Sequence, residues 1–380
     1  MEDFIANLDL YQSISLGILA FGLLVQLIYY LFIFIRVAIH KTSRLKYSEI
    51  KEPVSIIICA KNEAENILKH LPLILEQDYP DYEVIVVNDC SDDDSQDILE
   101  KLQEKYPHLR LSRIKHDEKF THGKKLALTI GIKAAKNEWL VLTDADCKPE
   151  GKQWLTTLQR NFTPDTQIVL GYGGYNAEKG FLNKLIRFDS FFIALQYLSF
   201  ALIKLPYMGV GRNLAYRKSL FLHNKGFASH SHILSGDDDL FINEVANGKN
   251  TRVEFSSEAH TRSIPKKVFN LWTFQKKRHL SSGKNYKLKH KLLLGLEITS
   301  RILFYAGLFM TLINLVIWMV GIAAFIFRMI IQLLIFNKAM DKLNEKKLLP
   351  YSIVFDFVLP LTILFLYFAN FFNSKQHRWN

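Results

Sequence analysis

The stretch WLVLTDAD, Trp139 to Asp146, decides the reading of this chain. Trp139–Thr143 is an uncharged, largely apolar run, the pattern of a strand covered on both faces. It ends on Asp144 and Asp146, one residue apart. Two carboxylates on a tight turn suit a hard divalent cation, which can also hold phosphate oxygens. An Asp-x-Asp alone equally suits a solvated loop, so the surrounding elements must decide between the two.

Working outward, Val54–Ala60 (VSIIICA) and Tyr82–Asn88 (YEVIVVN) are two further buried strands, and Arg110–Ile114 is a shorter one. Helical patterns lie between them over Glu63–Glu76, Asp97–Lys105 and Lys124–Lys136. Strands alternating with helices predict a mostly parallel α/β sheet. Such sheets bind ligands outside the carboxyl ends of their strands. That singles out Lys61-Asn62-Glu63, Asp89 with Ser91–Asp94, and Asp144-Ala145-Asp146. A carboxylate at the position of Asp89 can accept hydrogen bonds from a base or ribose, whereas Asp92, Asp93 and Asp94 suit a solvated helix start. His122-Gly123-Lys124-Lys125 opens a helix with free backbone N–H groups and cations for phosphate. Ser235-Gly236-Asp237-Asp238-Asp239-Leu240 opens another, and three consecutive acids repel one another beyond what a cap requires. Gln275-Lys276-Lys277-Arg278-His279 lies in a basic segment that could equally be a helix on anionic lipid.

The 380 residues carry a formal net charge of +11 with 49% apolar and 22% charged residues, which excludes wholesale disorder. Cys59, Cys90 and Cys147 are too few and scattered for a disulfide framework or zinc site and read as small buried groups in a reducing compartment. The average hides segregation. Leu10–Ile35 is uncharged, and at 1.5 Å per residue it spans about 39 Å, more than the roughly 30 Å of a bilayer core. Acidic Glu2, Asp3 and Asp9 precede it, while Arg36, Lys41, Arg44 and Lys46 follow. Basic flanks stay inside, so the expected helix 10–36 holds a domain at 47–290 on the cytoplasmic face of the inner membrane. Further expected elements are one or two spans over 296–337, with Arg328 inside, and a last span over 351–373. Four spans are favoured over three. The segments 181–204 and 266–290 are expected in the membrane interface, the first with its aromatic face in lipid. The basic excess sits beside these spans: Ala259–Leu296 holds ten Lys/Arg and no Asp or Glu. Anionic membrane lipid is therefore a simpler partner than nucleic acid, which is not expected.

The order Asp89, Asp-x-Asp, Gly-Asp-Asp-Asp-Leu, Gln-x-x-Arg resembles a membrane-bound family 2 glycosyltransferase of GT-A type fold, related to processive polysaccharide synthases. The resemblance covers Val54 to Tyr286. It implies an enzyme that moves a sugar, with inversion, from a nucleotide-diphosphate sugar to a lipid, lipid-linked or glycan acceptor. It implies donor contacts at Asn62, Glu63, Asp89, Lys124, Asp144, Gln275 and Arg278, and Mg²⁺ or Mn²⁺ on Asp144 and Asp146. Counting back from Leu240 puts the catalytic base at Asp237, with Asp238 as the alternative, and puts Gly236 where the family usually has Glu. His279 replaces the usual Trp after Gln-x-x-Arg, which tilts the acceptor towards a lipid-linked one. A membrane-anchored nucleotidyltransferase, or a non-catalytic nucleotide-binding component of polysaccharide export, are the competing readings.

Overall fold

The computed structural model describes residues 8–42, 46–115, 123–233 and 235–372. Glu2, Asp3, Arg44 and His122 lie outside them. Strand β1 (Val54–Ala60) lies inside a seven-stranded sheet, paired in parallel with β2 (Tyr82–Asp89) and with the central β4 (Trp139–Asp144). β3 (Leu109–Ile114) extends the parallel part beyond β2. On the other side β8 (Leu214–Arg217) runs antiparallel to β4, followed by β6 (Ile168–Gly171) and β9 (Thr251–Glu254), giving the order β3-β2-β1-β4-β8-β6-β9. Helices α2 (Ala64–Leu75), α3 (Ser95–Lys105) and α4 (Lys124–Ala134) connect the parallel strands, as the alternation predicts. A second, three-stranded sheet pairs β10 (Thr261–Ser263) with β5 (Cys147–Pro149) and β7 (Gly173–Tyr175).

The inner strands β1, β2 and β4 are largely apolar because both faces of the sheet are covered there. Ile56, Ile58, Val84, Val86 and Val141 pack into one core with Ile67, Leu71 and Leu99, and the short helix α5 (Trp154–Gln159) adds Trp154 and Leu158 to it. The intervening Ile57, Ile85, Val87, Leu140 and Leu142 join a larger core, which also takes Phe221 from the short helix α7 (Lys218–His223). That core continues into the long apolar helices through Phe34, Phe336 and Phe355. The sheet domain and the long apolar helices thus share one hydrophobic interior. Cys59 is buried in it, Cys147 is also buried, and the three cysteines form no disulfide.

Among the described residues, five helices are long and apolar enough to cross a membrane: α1 (Leu10–Ile39), α6 (Phe181–Leu202), and the C-terminal three. The latter are α10 (Leu288–Leu312), α11 (Trp318–Lys342) and α12 (Leu349–Phe372). The block expected at 296–337 is therefore two full helices joined at 313–317, each extending beyond the apolar block. Helix α1 continues to Ile39 through a π-helical turn at Tyr29–Phe34. It crosses α10 closely: a Cβ on Gly22 would lie 2.6 Å from the Phe304 nitrogen, and one on Gly307 2.6 Å from the Leu19 nitrogen. Such mutual small-residue contacts let helix backbones approach in lipid. Arg328, the charge inside the span, is fully buried and pairs with Asp356 at 2.9 Å, with Gln26 and Gln332 as further partners.

Helix α6 departs from the interface expectation for 181–204, since most of its apolar stretch is enclosed by protein. Its aromatic face meets Phe34, Phe336 and Phe355 instead of lipid. The reason lies in its charges. Arg187 pairs with Glu345 at 2.7 Å, in the turn between α11 and α12, and Asp189 pairs with Lys276 at 2.7 Å. Buried charges need partners on the facing elements, and only protein supplies them. Helix α9 (Phe269–Gly283) does keep an apolar edge exposed at Phe269, Leu271 and Phe274.

Candidate functional site

The candidate site forms where the sheet's strand ends face α8 (Asp239–Val245) and α9. Asp144 closes β4, and Lys124 opens α4. The Lys124 ammonium lies 2.8 Å from Asp144 Oδ1 and 3.2 Å from Asp237 Oδ2, so one cation bridges two acids that are 93 positions apart in sequence. Burial would lower the lysine pKa, but Asp144 and Asp237 outweigh it and hold it well above its ordinary value. Burial would likewise raise Asp237, yet Lys124 outweighs burial and holds this carboxyl below the usual range.

The three consecutive acids divide by their partners. Asp238 Oδ2 accepts from the Gly211 N–H at 2.7 Å and Oδ1 from the Asp239 N–H at 2.8 Å, making it the N-cap of α8. Its enclosure, with Asp237 and Asp239 alongside, pushes its pKa up to about 7. Asp239 accepts from the hydroxyls of Ser282 and Tyr286, the latter at 2.7 Å, and from the Leu240 N–H. Asp237 has Lys124 as its side-chain partner. The residue before the triplet explains a departure from the expected pattern. Gly236 has φ +89°, and a Cβ there would lie 2.4 Å from Leu240 Cδ1, so no glutamate fits.

Asp146 Oδ2 accepts from Ser263 Oγ at 2.7 Å, a contact set up by the pairing of Ser263 with Cys147 in the small sheet. Carboxylate oxygens of Asp144 and Asp146 and the Cys147 sulfur lie within 4.8 Å of one another. Burial holds the Cys147 thiol well above its ordinary pKa, so it stays protonated and the donors are the two carboxylates. Burial, then Asp144, raises Asp146. Two hard oxygen donors that disfavour each other's charge fit a divalent cation such as Mg²⁺ or Mn²⁺.

Lys124, Asp144, Asp146 and Asp237 line one cavity of about 700 Å³. Asp238, Gln275, Arg278 and His279 line the same space. The Gln275 amide donates to the Tyr175 hydroxyl at 3.4 Å. Three expected donor contacts stand apart, as none of Asn62, Glu63 and Asp89 lines it. They cluster beyond β1 and β2. The Asn62 N–H donates to Ser91 Oγ at 2.9 Å while Asn62 Oδ1 accepts from the Asp92 N–H, tying the two post-strand loops together. The Glu63 N–H donates to Ser95 Oγ at 3.1 Å, and burial raises the Glu63 carboxyl. Asp89 is buried at the end of β2. Because β1 separates β2 from β4, Asp89 and Asp144 stand on strands about 10 Å apart.

Sequence reading misses Arg212, Tyr175, Ser263 and Gly211. The Arg212 guanidinium lies 4.3 Å from the Tyr175 ring centre on the cavity wall, and among the described residues its Nη1 has no hydrogen-bond partner. The one available signal is Gly-Val-Gly-Arg-Asn at 209–213, glycines around a cation just before a strand.

The model of Glycosyl transferase family 2 matches residues 55–223. A glycosyltransferase of Haloferax volcanii is 38% identical over 104 residues, 27% of this chain and 33% of that protein. The Escherichia coli UDP-Glc:alpha-D-GlcNAc-diphosphoundecaprenol beta-1,3-glucosyltransferase is 31% identical over 34% of this chain and 49% of its own length. The chain thus spans between a third and a half of these curated relatives. A mannosyltransferase from Pyrobaculum calidifontis, solved in complex with GDP-Man and Mn²⁺, superposes with a TM-score of 0.63 at 18% identity, covering 95% of this chain and 99% of that one. With the mostly parallel sheet and Asp144 at its strand end, these matches place a Glycosyl transferase family 2 domain at residues 55–223, on a GT-A type fold shared with that mannosyltransferase.

Proposed function

We propose that the protein is an inverting glycosyltransferase that moves a sugar from a nucleotide-diphosphate sugar to a lipid-linked or glycan acceptor at the cytoplasmic face of the inner membrane. The observation that carries this reading is the shared cavity: Asp144, Asp146 and Asp237 face one space that continues to the membrane helices α10 and α12. Donor and acceptor can meet there. The E. coli relative, named for a diphosphoundecaprenol substrate, supports a lipid-linked acceptor.

Asp237 is the base. Asp238 and Asp239 spend their oxygens on backbone and hydroxyl donors, whereas Asp237 faces the lysine that keeps it ionised. It takes the acceptor hydroxyl proton as that oxygen bonds to the anomeric carbon, opposite the breaking bond to the diphosphate. Asp144 and Asp146 would hold Mg²⁺ or Mn²⁺, which when bound neutralises diphosphate charge. Arg278 and Arg212 add fixed cations on the cavity wall, and Gln275 orients through Tyr175. Asn62, Glu63 and Asp89 hold the nucleoside end. The basic segment before α10 rests on anionic lipid, with nucleic acid not a partner.

The test is turnover of a panel of nucleotide sugars by the full chain in detergent or lipid nanodiscs. A released nucleoside diphosphate with inverted product supports the reading. Released pyrophosphate would instead make it a nucleotidyltransferase, and binding without turnover a non-catalytic component.

A further inference from the structure

The cavity has two ends of opposite character. One is the charged pole at Asp144, Asp146 and Asp237. The other runs between α10 and α12, where Leu294 and Ile298 face Leu359, Ile363 and Leu364. No carbohydrate needs such a wall, because aliphatic side chains offer its hydroxyls no partners. A chain of methylenes does, at a gain proportional to the apolar area removed from water. Gly295 stands in the same wall, and a Cβ there would meet no atom within 4 Å, so the crevice is open at that level.

Lys284 and Lys291 line the mouth between the two ends. Both are exposed, and among the described residues neither ammonium has a carboxylate within 4.0 Å. Lys284 lies 5.6 Å from the Tyr367 ring centre on α12, and the Lys291 ammonium donates to the Lys284 carbonyl at 3.4 Å. Lys284 thus reaches across to α12 from the end of α9, and Lys291 on α10 is held to the Lys284 backbone, so both cations border this gap. Their charge is uncompensated by protein, which suits an anion.

Resting on the glycosyltransferase reading above, we propose that the crevice between α10 and α12 is the acceptor's lateral entry port. Its occupant is a lipid with a long apolar chain and a phosphate or diphosphate head, of polyprenyl-phosphate type. The tail lies along Leu294, Ile298 and Ile363, the phosphate meets Lys284 and Lys291, and the group to be glycosylated projects towards Asp237. An uncharged acceptor such as a diacylglycerol would leave both lysines without a ligand. A bulk phospholipid would fill the crevice and block the path to Asp237.

The probe is a polyprenyl monophosphate bearing a diazirine in its chain, photolysed with the full chain in phosphatidylcholine nanodiscs, with the labelled peptides mapped by mass spectrometry. Label is expected on α10 around 294–298 and on α12 around 359–364. It should be competed by unlabelled polyprenyl phosphate and not by excess phosphatidylglycerol. Lys291→Ala, at an exposed position, should weaken competition about tenfold, the worth of one charge-assisted phosphate contact. Gly295→Trp should abolish labelling and Gly295→Ala should not. Binding of UDP and GDP with Mn²⁺ is measured on every variant. Nucleotide binding with label spread over the outer faces of α1 and α11, or with displacement by phosphatidylglycerol, overturns the port. Failure of both nucleotides to bind wild-type protein would overturn the glycosyltransferase reading itself.

Discussion

The three acids at 237–239 should separate into one chemical and two structural residues when each is changed to asparagine. Asp237→Asn removes the proposed base but keeps its shape. A positioned general base contributes about 10²–10⁴-fold, or roughly 3–5 kcal/mol of barrier. Nucleoside diphosphate release should fall by that factor. Unfolding temperature should fall only slightly, since the Asp237–Lys124 pair is lost while Lys124 keeps Asp144 and one buried like charge beside Asp238 is removed. Asp239→Asn should do the reverse. Its carboxylate accepts from Ser282, Tyr286 and the Leu240 N–H, and an amide can satisfy only part of that set. A buried donor left without its acceptor costs about 1–3 kcal/mol, so stability falls first and activity follows. Asp238→Asn keeps a good cap residue but loses one of two backbone acceptors, at about 1 kcal/mol. The assay pairs donor turnover at saturating nucleotide sugar with thermal unfolding in the same detergent. If Asp237→Asn turned over donor like wild type while Asp238→Asn abolished turnover without losing stability, the partner-based assignment would be refuted.

Four further outcomes follow from the same structure. Gly236→Ala forces a Cβ into a φ of +89° against Leu240, and should cost about 2 kcal/mol in unfolding experiments together with a loss of turnover. Arg328→Met leaves the buried Asp356 and Glu297 carboxylates to share Arg301 alone and should cost about 3–5 kcal/mol, whereas adding Asp356→Asn should restore most of it by leaving Arg301 and Glu297 as a neutral pair. Chelation with EDTA should abolish turnover without unfolding the protein, and Mg²⁺ or Mn²⁺ should restore it, because the Asp144–Asp146 donor set belongs to the site and not to the core. The Asp238 pKa, raised to about 7, makes its protonated form the stabilising one. That contribution is complete below about pH 4 and lost as pH rises through about 7. Unfolding temperature should therefore drop between these values more in wild type than in Asp238→Asn.

Much of the site was legible because strand ends are legible. An apolar run closing on a charge, as in WLVLTDAD, marks the point where a covered strand leaves the core, and Lys124 at a helix start after a glycine reads directly as a cation for that end. The triplet could be seen but not apportioned. Which acid is left for chemistry depends on Gly211, Ser282 and Tyr286, residues some 25 to 50 positions away that no local pattern links to it. Arg212 was invisible for the same reason: a lone arginine carries no signal until β7 places Tyr175 beside it.

The chain by itself determined the parallel half of the sheet, the apolar helices, the acids and the localised basic charge, since each follows from periodicity or from residue type over a short window. Tertiary structure alone decided three things. It enclosed α6 in protein, because Arg187 and Asp189 find their partners at Glu345 and Lys276. It split the acids by partner. And it joined the charged pole to an apolar crevice between α10 and α12 in one cavity, a property of packing between distant segments that no single stretch of sequence encodes.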